Sequence, residues 1–260
     1  MTEQVPALQG EPELENEKMM TLLEHMLELK DHLVRMAIAL VVCSAGTFVL
    51  AKKILEWLLL PMNKYDGQYA IIATRPTTTI GLFMKISLFS GAIVAMPYLV
   101  YELLHYILPG LTRREKMALI WIVPGATLFF VGGAAFAYFV MVPAAIPFLL
   151  GFWSDLIEQN WMVDEYIPFV TGLVFWVGVS FETPLIMAFL SRMGVVTAKQ
   201  LLAAWKFAVV AIAVLAAFIT PTPDPFNMGL VMAPLITLYF FGVLLARFSQ
   251  RKTETAEAKT

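Results

Sequence analysis

A single carboxylate interrupts a long apolar stretch in the second half of this sequence. Between Tyr166 and Ser191 the only ionisable side chain is that of Glu182, which lies in the segment VSFETPL. A charge inside a membrane-spanning helix costs roughly 3 kcal/mol on insertion scales, so such residues usually face a bundle interior or a wet cavity. Gly178 and Pro184 flank Glu182, and both weaken a helix, so we expect the helix to bend here.

A second acid, Glu28, lies in the amphipathic segment HMLELKDHLVR at residues 25 to 35. This segment directly precedes an apolar run, which places it at the edge of a membrane span. A structural explanation is available, because Glu28 to His32 and Asp31 to Arg35 have the i,i+4 spacing of weak helical ion pairs. Taken alone, the motif favours a solvated helix face.

A third acid, Glu115, lies in LPGLTRREK at residues 108 to 116. Pro109 and Gly110 are expected to end one helix in a turn, and Thr112 can cap the next helix. Glu115 then takes the third position of a capping box. Taken alone, this motif also favours a structural role.

The sequence holds no motif of catalysis or metal binding. Its three histidines, His25, His32 and His105, lie apart without the spacing of a metal site, and the single Cys43 cannot form an intramolecular disulfide. We therefore expect neither an enzyme nor a metal or other cofactor.

The composition indicates whether the chain folds in water or in a lipid bilayer. Of the 260 residues, 59% are hydrophobic and 15% are charged, whereas about 25% charge is typical of soluble domains. The net charge of −2, without a run of basic and aromatic residues, gives no sign of nucleic-acid binding. We predict an all-α integral membrane protein.

Breaks between the apolar runs predict six membrane-spanning helices, judged against the roughly 20 residues that a helix needs to cross the hydrocarbon core. The predicted spans are about 33–51, 80–106, 117–142, 166–190, 205–219 and 228–246. They belong to one membrane domain at 21–248. The polar segments 1–20 and 249–260 are predicted tails, the first of them disordered.

Basic residues are distributed unequally between the two sides of these spans. Thirteen of the 18 Lys and Arg residues fall in the segments that share a side with the two termini. By the positive-inside rule, we expect both termini to be cytoplasmic.

The fifth span is short for a membrane crossing. From Phe207 to the turn TPTPDP there are 13 residues, or roughly 20 Å of helix against a core of roughly 30 Å. Either this short hairpin thins the bilayer locally or hides its ends against protein, or the fifth helix starts earlier, near Thr197.

Five motifs in this order resemble those of the TatC family, the receptor subunits of the twin-arginine protein translocase. They are HMLELKDHLVR, MPYLVYELLHYILPGLTRREK, GAAFAYFVMVPAAIPFL, GVSFETPL and ITPTPDPF. The resemblance covers roughly residues 21 to 248. Lys30 departs from the family pattern, because Arg is usual there, and so does Thr112, where Tyr is common.

The resemblance implies six helices packed as a concave cup in the cytoplasmic (inner) membrane. It also implies a receptor that binds the twin-arginine signal peptides of folded cargo proteins and exports them with the single-span subunits TatA and TatB. Export would be driven by the proton-motive force, and self-association within the complex is expected.

The resemblance also assigns roles to residues. Glu28 and Glu115, with Lys30 and Arg113, would bind the signal peptide, because two adjacent guanidiniums need fixed carboxylates at the headgroup level. The residues expected to dock a partner helix are Glu182, Phe181 and Pro184. Those expected to form structural turns are Pro109, Gly110, Pro221, Pro223, Asp224 and Pro225.

Three interpretations of Glu182 remain open at this point. It could dock an incoming single-span helix, hydrogen-bond to another helix of this chain, or relay protons. The last interpretation belongs to the alternative function, an ion-coupled secondary transporter that uses Glu102, Glu182 and Lys85. Otherwise we expect Glu102 and Lys85 to anchor the second helix at its two ends by snorkelling.

Overall fold

The computed structural model describes residues 22–63, 71–73, 75–107, 113–151, 161–220 and 224–250, and within these ranges the chain is almost entirely helical. The helices are α1 (Leu22–Phe48), α2 (Ala51–Asn63), α3 (Thr78–Ile107), α4 (Arg113–Phe136), α5 (Val142–Gly151), α6 (Val163–Phe181), α7 (Thr183–Arg192), α8 (Ala198–Ala203), α9 (Trp205–Ile219) and α10 (Pro225–Ser249). A π-helical turn, Ala137–Met141, joins α4 to α5. Two short strands, β1 (Ile71–Ile72) and β2 (Trp161–Met162), pair in parallel.

Five helical segments of the described chain are long and apolar enough to cross a membrane. They are Met26–Phe48, Thr78–Tyr106, Val123–Gly151, Val163–Arg192 and Pro225–Ser249. A shorter apolar helix, Trp205–Ile219, lies between the last two. These segments follow the order of the predicted spans, and the predicted all-α membrane fold is confirmed.

The third segment continues beyond the predicted limit of 142, as far as Gly151. In the π-helical turn the N–H of Val142 donates to the carbonyl of Ala137, which shifts the hydrogen-bond frame just before Pro143. Prolines are tolerated in membrane helices where other groups satisfy the freed backbone. Pro143 and Pro147 therefore lie inside α5 instead of ending the helix.

The structure bears on the predicted earlier start of the fifth helix, and local thinning of the bilayer stays a prediction. The six-residue helix α8 starts after Thr197, whose side chain forms a capping box with Gln200. The helix is interrupted at Ala204, and α9 then runs for 15 residues, or roughly 22 Å. The apolar crossing is therefore short, and α8 precedes it as a separate helix.

The connection after α1 contains a helix, α2, that the span prediction missed. Pro61 has no N–H, which leaves the carbonyl of Trp57 without its helical donor, and the hydroxyl of Tyr138 donates to that oxygen instead. The hydroxyl of Tyr166 donates to the carbonyl of Leu58 at 3.0 Å. Two tyrosines from the third and fourth spans thus fix α2 against the bundle.

The core of the bundle lies around α6. Ile167, Val170 and Val177 on this helix are completely buried. Glycines allow the neighbouring helices to approach closely: a Cβ on Gly178 would lie 2.8 Å from the ring of Phe130 in α4. This close packing fixes the middle of the fourth span, where Glu182 follows.

Candidate functional site

Glu28 lies on the face of α1 that turns towards α3. Among residues 26–31 it is the only half-buried residue, and its neighbours are exposed. His32, one helical turn later, is buried and continues the same face. No hydrogen bond or ion pair to the Glu28 carboxylate occurs in the described part of the chain, so the predicted pair with His32 is absent.

His32 bonds across to α3 instead. Its Nδ1 donates to Oε2 of Glu102, and the hydroxyl of Tyr98 donates to Oε1 of Glu102 at 2.6 Å. We call these three side chains the α1–α3 polar cluster. Glu102 is only 3% exposed, which corrects the expectation that it snorkels: a carboxylate with two donors inside the protein does not need to reach water.

The other residues predicted to bind a signal peptide are placed differently. Lys30 is exposed and, two positions after Glu28, lies on another side of α1. Arg113 is the first residue of α4 and Glu115 the third, in the first turn as the capping-box spacing predicted. The side chains of Arg113 and Glu115 lie outside the described part of the structure.

The fourth span is interrupted at Glu182, where a bend was predicted. α6 ends at Phe181 and α7 starts at Thr183. The N–H of Glu182 donates to the carbonyl of Val179 at 3.1 Å, a tighter turn than in an α-helix. Pro184 lacks the N–H that would continue the ladder, which explains the break.

The side chain of Glu182 is buried beside the break in the fourth span. It is 5% exposed, and its Oε1 has no hydrogen-bond partner among the described residues. It lines an apolar cleft together with Val100, Leu103, Leu104, Ala126, Leu185, Ile186 and Phe189. The predicted structural hydrogen bond to another helix of this chain is therefore not formed in the described ranges.

Phe181 and Pro184, the other residues predicted to dock a partner, are not among the residues that line this cleft. The ring of Phe181 packs beside that of Phe136, with a centroid distance of 5.8 Å. The backbone of Pro184 faces α10, where a Cβ on Gly242 would lie 3.0 Å from its Cα. Of the three predicted docking residues, only Glu182 reaches the cleft.

The turn before α10 is built as a helix cap. Asp224 accepts a hydrogen bond from the N–H of Asn227 at 2.7 Å, and Pro225 takes the first helical position. The other predicted turn residues lie outside the described residues: Pro109, Gly110, Pro221 and Pro223.

Lys85 is exposed and lines a polar cleft with Arg75 and Asp164, near the start of α3. It is separated from Glu102 by roughly 26 Å along the helix. Lys85 and Glu102 therefore do not lie next to each other, as a direct proton relay between them would require. Within the described ranges, no group of His, Cys, Asp and Glu side chains could hold a metal ion.

Comparisons with known proteins agree on one family. The profile of a family described as "Sec-independent protein translocase protein (TatC)" matches residues 24–234. The chain is 36% identical over 235 residues to the Sec-independent protein translocase protein TatC of Aquifex aeolicus, with coverage of 90% of this chain and 97% of the relative. It is 33% identical over 224 residues to the protein of the same name from Synechocystis, with coverage of 86% and 87%.

Solved structures agree with this result. The chain resembles a crystal structure described as the twin arginine translocase receptor TatC, with a TM-score of 0.80 and 36% sequence identity. The match covers 88% of this chain and all of the solved one. The helical arrangement described above is therefore also that of an experimentally determined membrane protein.

Proposed function

Because the chain belongs to the TatC family of Sec-independent protein translocase proteins, we propose that it is a receptor for the twin-arginine signal peptides of folded cargo proteins. As a member of this family it is a component of a protein translocase and not an enzyme. The receptor role is supported by the description of the solved relative and by the partial burial of Glu28 at the end of a membrane span.

One observation supports the proposal most directly: Glu28 is half-buried, unpaired within the described residues, and located at the end of a membrane span. A carboxylate that is partly removed from water binds a guanidinium more strongly than a fully solvated one. His32 has another partner, and Lys30 points elsewhere, so Glu28 is available to an external cation.

A second carboxylate at the same end of the bundle would complete the site. Glu115 lies in the first turn of α4, which follows α3 after a five-residue connection. We infer that Glu28 and Glu115 each accept one of the two signal guanidiniums. Lys30 and Arg113 remain predicted contacts of the flanking signal residues.

We further propose that the Glu182 cleft docks a partner helix from a single-span subunit, TatA or TatB. Leu103 and Ile186, which line the cleft, are 43% and 42% exposed, and they offer an apolar surface around an oxygen of Glu182 that has no partner among the described residues. A polar side chain on the incoming helix would supply that partner. Interhelical hydrogen bonds in membranes are worth about 0.6 kcal/mol on average, enough to favour one register.

The membrane orientation is also a proposal. The charge asymmetry supports cytoplasmic termini, and the family supports the cytoplasmic membrane as the location. A cysteine at Asp155 should react with a membrane-impermeant maleimide in intact cells, and a cysteine at Lys199 should react only after lysis, both in a Cys43→Ser background. Labelling of position 199 from outside would contradict the orientation.

The alternative function, an ion-coupled transporter driven by a proton relay, has less support. Glu102 has two hydrogen-bond donors of its own, and Lys85 lies far along the same helix. The family is that of a translocase component. The proton-motive force, which we propose drives export, would then act on the assembled complex.

Peptide binding tests the proposed function directly. The purified full chain in lipid nanodiscs should bind a fluorescent signal peptide with an Arg-Arg pair at least tenfold more tightly than the same peptide with Lys-Lys, because only guanidinium forms bidentate bonds with carboxylates. Equal affinity for the two peptides would contradict the receptor role. Export of a reporter with this signal, in cells that lack their own receptor subunit, tests the same role in the membrane.

A further inference from the structure

We propose that the α1–α3 polar cluster, His32, Glu102 and Tyr98, is a positioning device that holds Glu28 in place for signal recognition. The inference rests on the proposed function. The residues of the cluster do not contact the signal peptide. They hold α1, the helix that carries Glu28, in a fixed orientation.

The cluster joins two helices through one buried bond, from His32 on α1 to Glu102 on α3, and the partly exposed Tyr98 holds the same carboxylate from within α3. His32 is 8% exposed and Glu102 is 3% exposed. Oε2 of Glu102 accepts from His32 on α1, and Oε1 accepts from Tyr98 on α3. The guanidinium of Arg35 lies 4.0 Å from Oε2, and its side chain is 57% exposed. Glu102 is thus occupied and is not itself a free acceptor for a signal guanidinium.

Aromatic rings from the end of α3 surround the His32 ring. The centroid of His105 lies 5.5 Å from that of His32, edge to face, and the centroid of Tyr106 lies at 5.9 Å. Tyr101 stacks on His105 at 5.9 Å. Because packing and hydrogen bonding both restrain the imidazole, the rotation of α1 about its own axis is restrained at this position.

The position of the Glu28 carboxylate depends on the rotation of α1. Glu28 precedes His32 by one turn, roughly 6 Å along the axis, and lies on the same face. Apart from Arg35, which approaches the same carboxylate as His32, the next polar contact between the two helices among the described residues is Thr47 Oγ1 to the carbonyl of Ser87, at 2.8 Å. That contact is roughly 22 Å further along α1, so the cluster is the polar restraint closest to Glu28.

The cluster is also close in sequence to the second proposed carboxylate. α3 ends at Ile107, five residues after Glu102, and α4 carries Glu115 in its first turn. A restraint at Glu102 therefore ties the segment with Glu28 to the end of the helix that leads to Glu115. The distance between the two carboxylates determines whether both can bind a pair of adjacent guanidiniums at the same time.

A double variant separates positioning from simple stabilisation. Buried ion pairs can often be replaced by apolar residues without loss of stability, because the desolvation penalty disappears with the charges. We expect His32→Leu with Glu102→Met to insert and to unfold within a few degrees of the parent. Its affinity for the Arg-Arg signal peptide should fall about tenfold, because α1 loses its polar restraint near Glu28.

Conservative variants provide the rescue. Asn places its amide N–H near the position of the histidine Nδ1, so His32→Asn should keep the bond to Glu102 and retain affinity within about threefold. A matched control is Thr47→Val, which removes the other polar α1–α3 contact far from Glu28 and should leave binding unchanged. Spin labels at positions 29 and 116, in a Cys43→Ser background, should show a broader distance distribution in the double variant.

The outcomes distinguish the two proposals. If the parent does not prefer the Arg-Arg peptide, the receptor role fails first. If the parent prefers it and Glu28→Lys abolishes binding, but the folded double variant binds as tightly as the parent, the positioning inference is overturned. An unchanged spin-label distribution together with normal binding would lead to the same conclusion.

Discussion

Replacing Glu115 with Lys is expected to lower the affinity for a twin-arginine signal peptide by roughly 30-fold or more, and Glu28→Lys should do the same. Each change turns an attractive charge contact into a repulsive one, and the loss of one partner from such a pair costs about 2–5 kcal/mol, with tenfold for every 1.4 kcal/mol. Gln at either position should lose less, because a neutral acceptor remains. The measurement is titration of the labelled peptide into the full chain in nanodiscs.

Asp31→Lys is the matched control for this experiment. Asp31 lies on α1 three residues after Glu28, and it is exposed instead of half-buried. Its replacement changes the net charge, and the local charge of this end of α1, by the same amount while the Glu28 carboxylate stays in place. If Asp31→Lys weakens binding as much as Glu28→Lys, the effect comes from the charge of this helix end and not from the Glu28 carboxylate. Normal binding by Glu115→Lys would remove Glu115 from the site.

Replacement of Glu182 is expected to separate assembly from signal binding. Glu182→Lys should abolish export and reduce crosslinking to TatA and TatB at least tenfold, because a cation would occupy an apolar cleft without a partner. Glu182→Ala should bind the signal peptide normally but assemble the small subunits poorly, since no acceptor is left. Glu182→Gln should export nearly normally, because the amide oxygen still accepts a hydrogen bond.

For each Glu182 variant, two quantities are measured: photocrosslinking to TatA and TatB from position 186, on the exposed part of the cleft, and export of a reporter. If Glu182→Gln is as inactive as Glu182→Lys while assembly is intact, a proton on the carboxylate matters and the docking proposal is wrong. If Glu182→Ala unfolds at a much lower temperature than the parent, the residue has a structural role. Thr183→Ala, at the start of α7, is a neighbouring control that leaves the carboxylate in place.

The sequence alone was enough to predict a helical membrane protein, because the bilayer core contains no water to form hydrogen bonds with exposed backbone groups. Apolar runs of about 20 residues, separated by polar connections, leave few alternatives to a helical membrane fold. The break at Glu182 was also predictable, since Pro184 removes a backbone donor wherever the helix lies. In the same way, Asp224 before Pro225 has the chemistry of a helix cap.

Only the tertiary structure decided which polar groups have partners. His32 and Glu102 are 70 residues apart, and no periodicity along one helix indicates that they meet; the local rule paired His32 with Glu28 instead. Phe181 and Glu182 are adjacent in sequence, yet the turn between α6 and α7 directs one to α4 and the other to the cleft. Local patterns depend on a few neighbouring residues, whereas burial and pairing depend on the packing of helices that are distant in sequence.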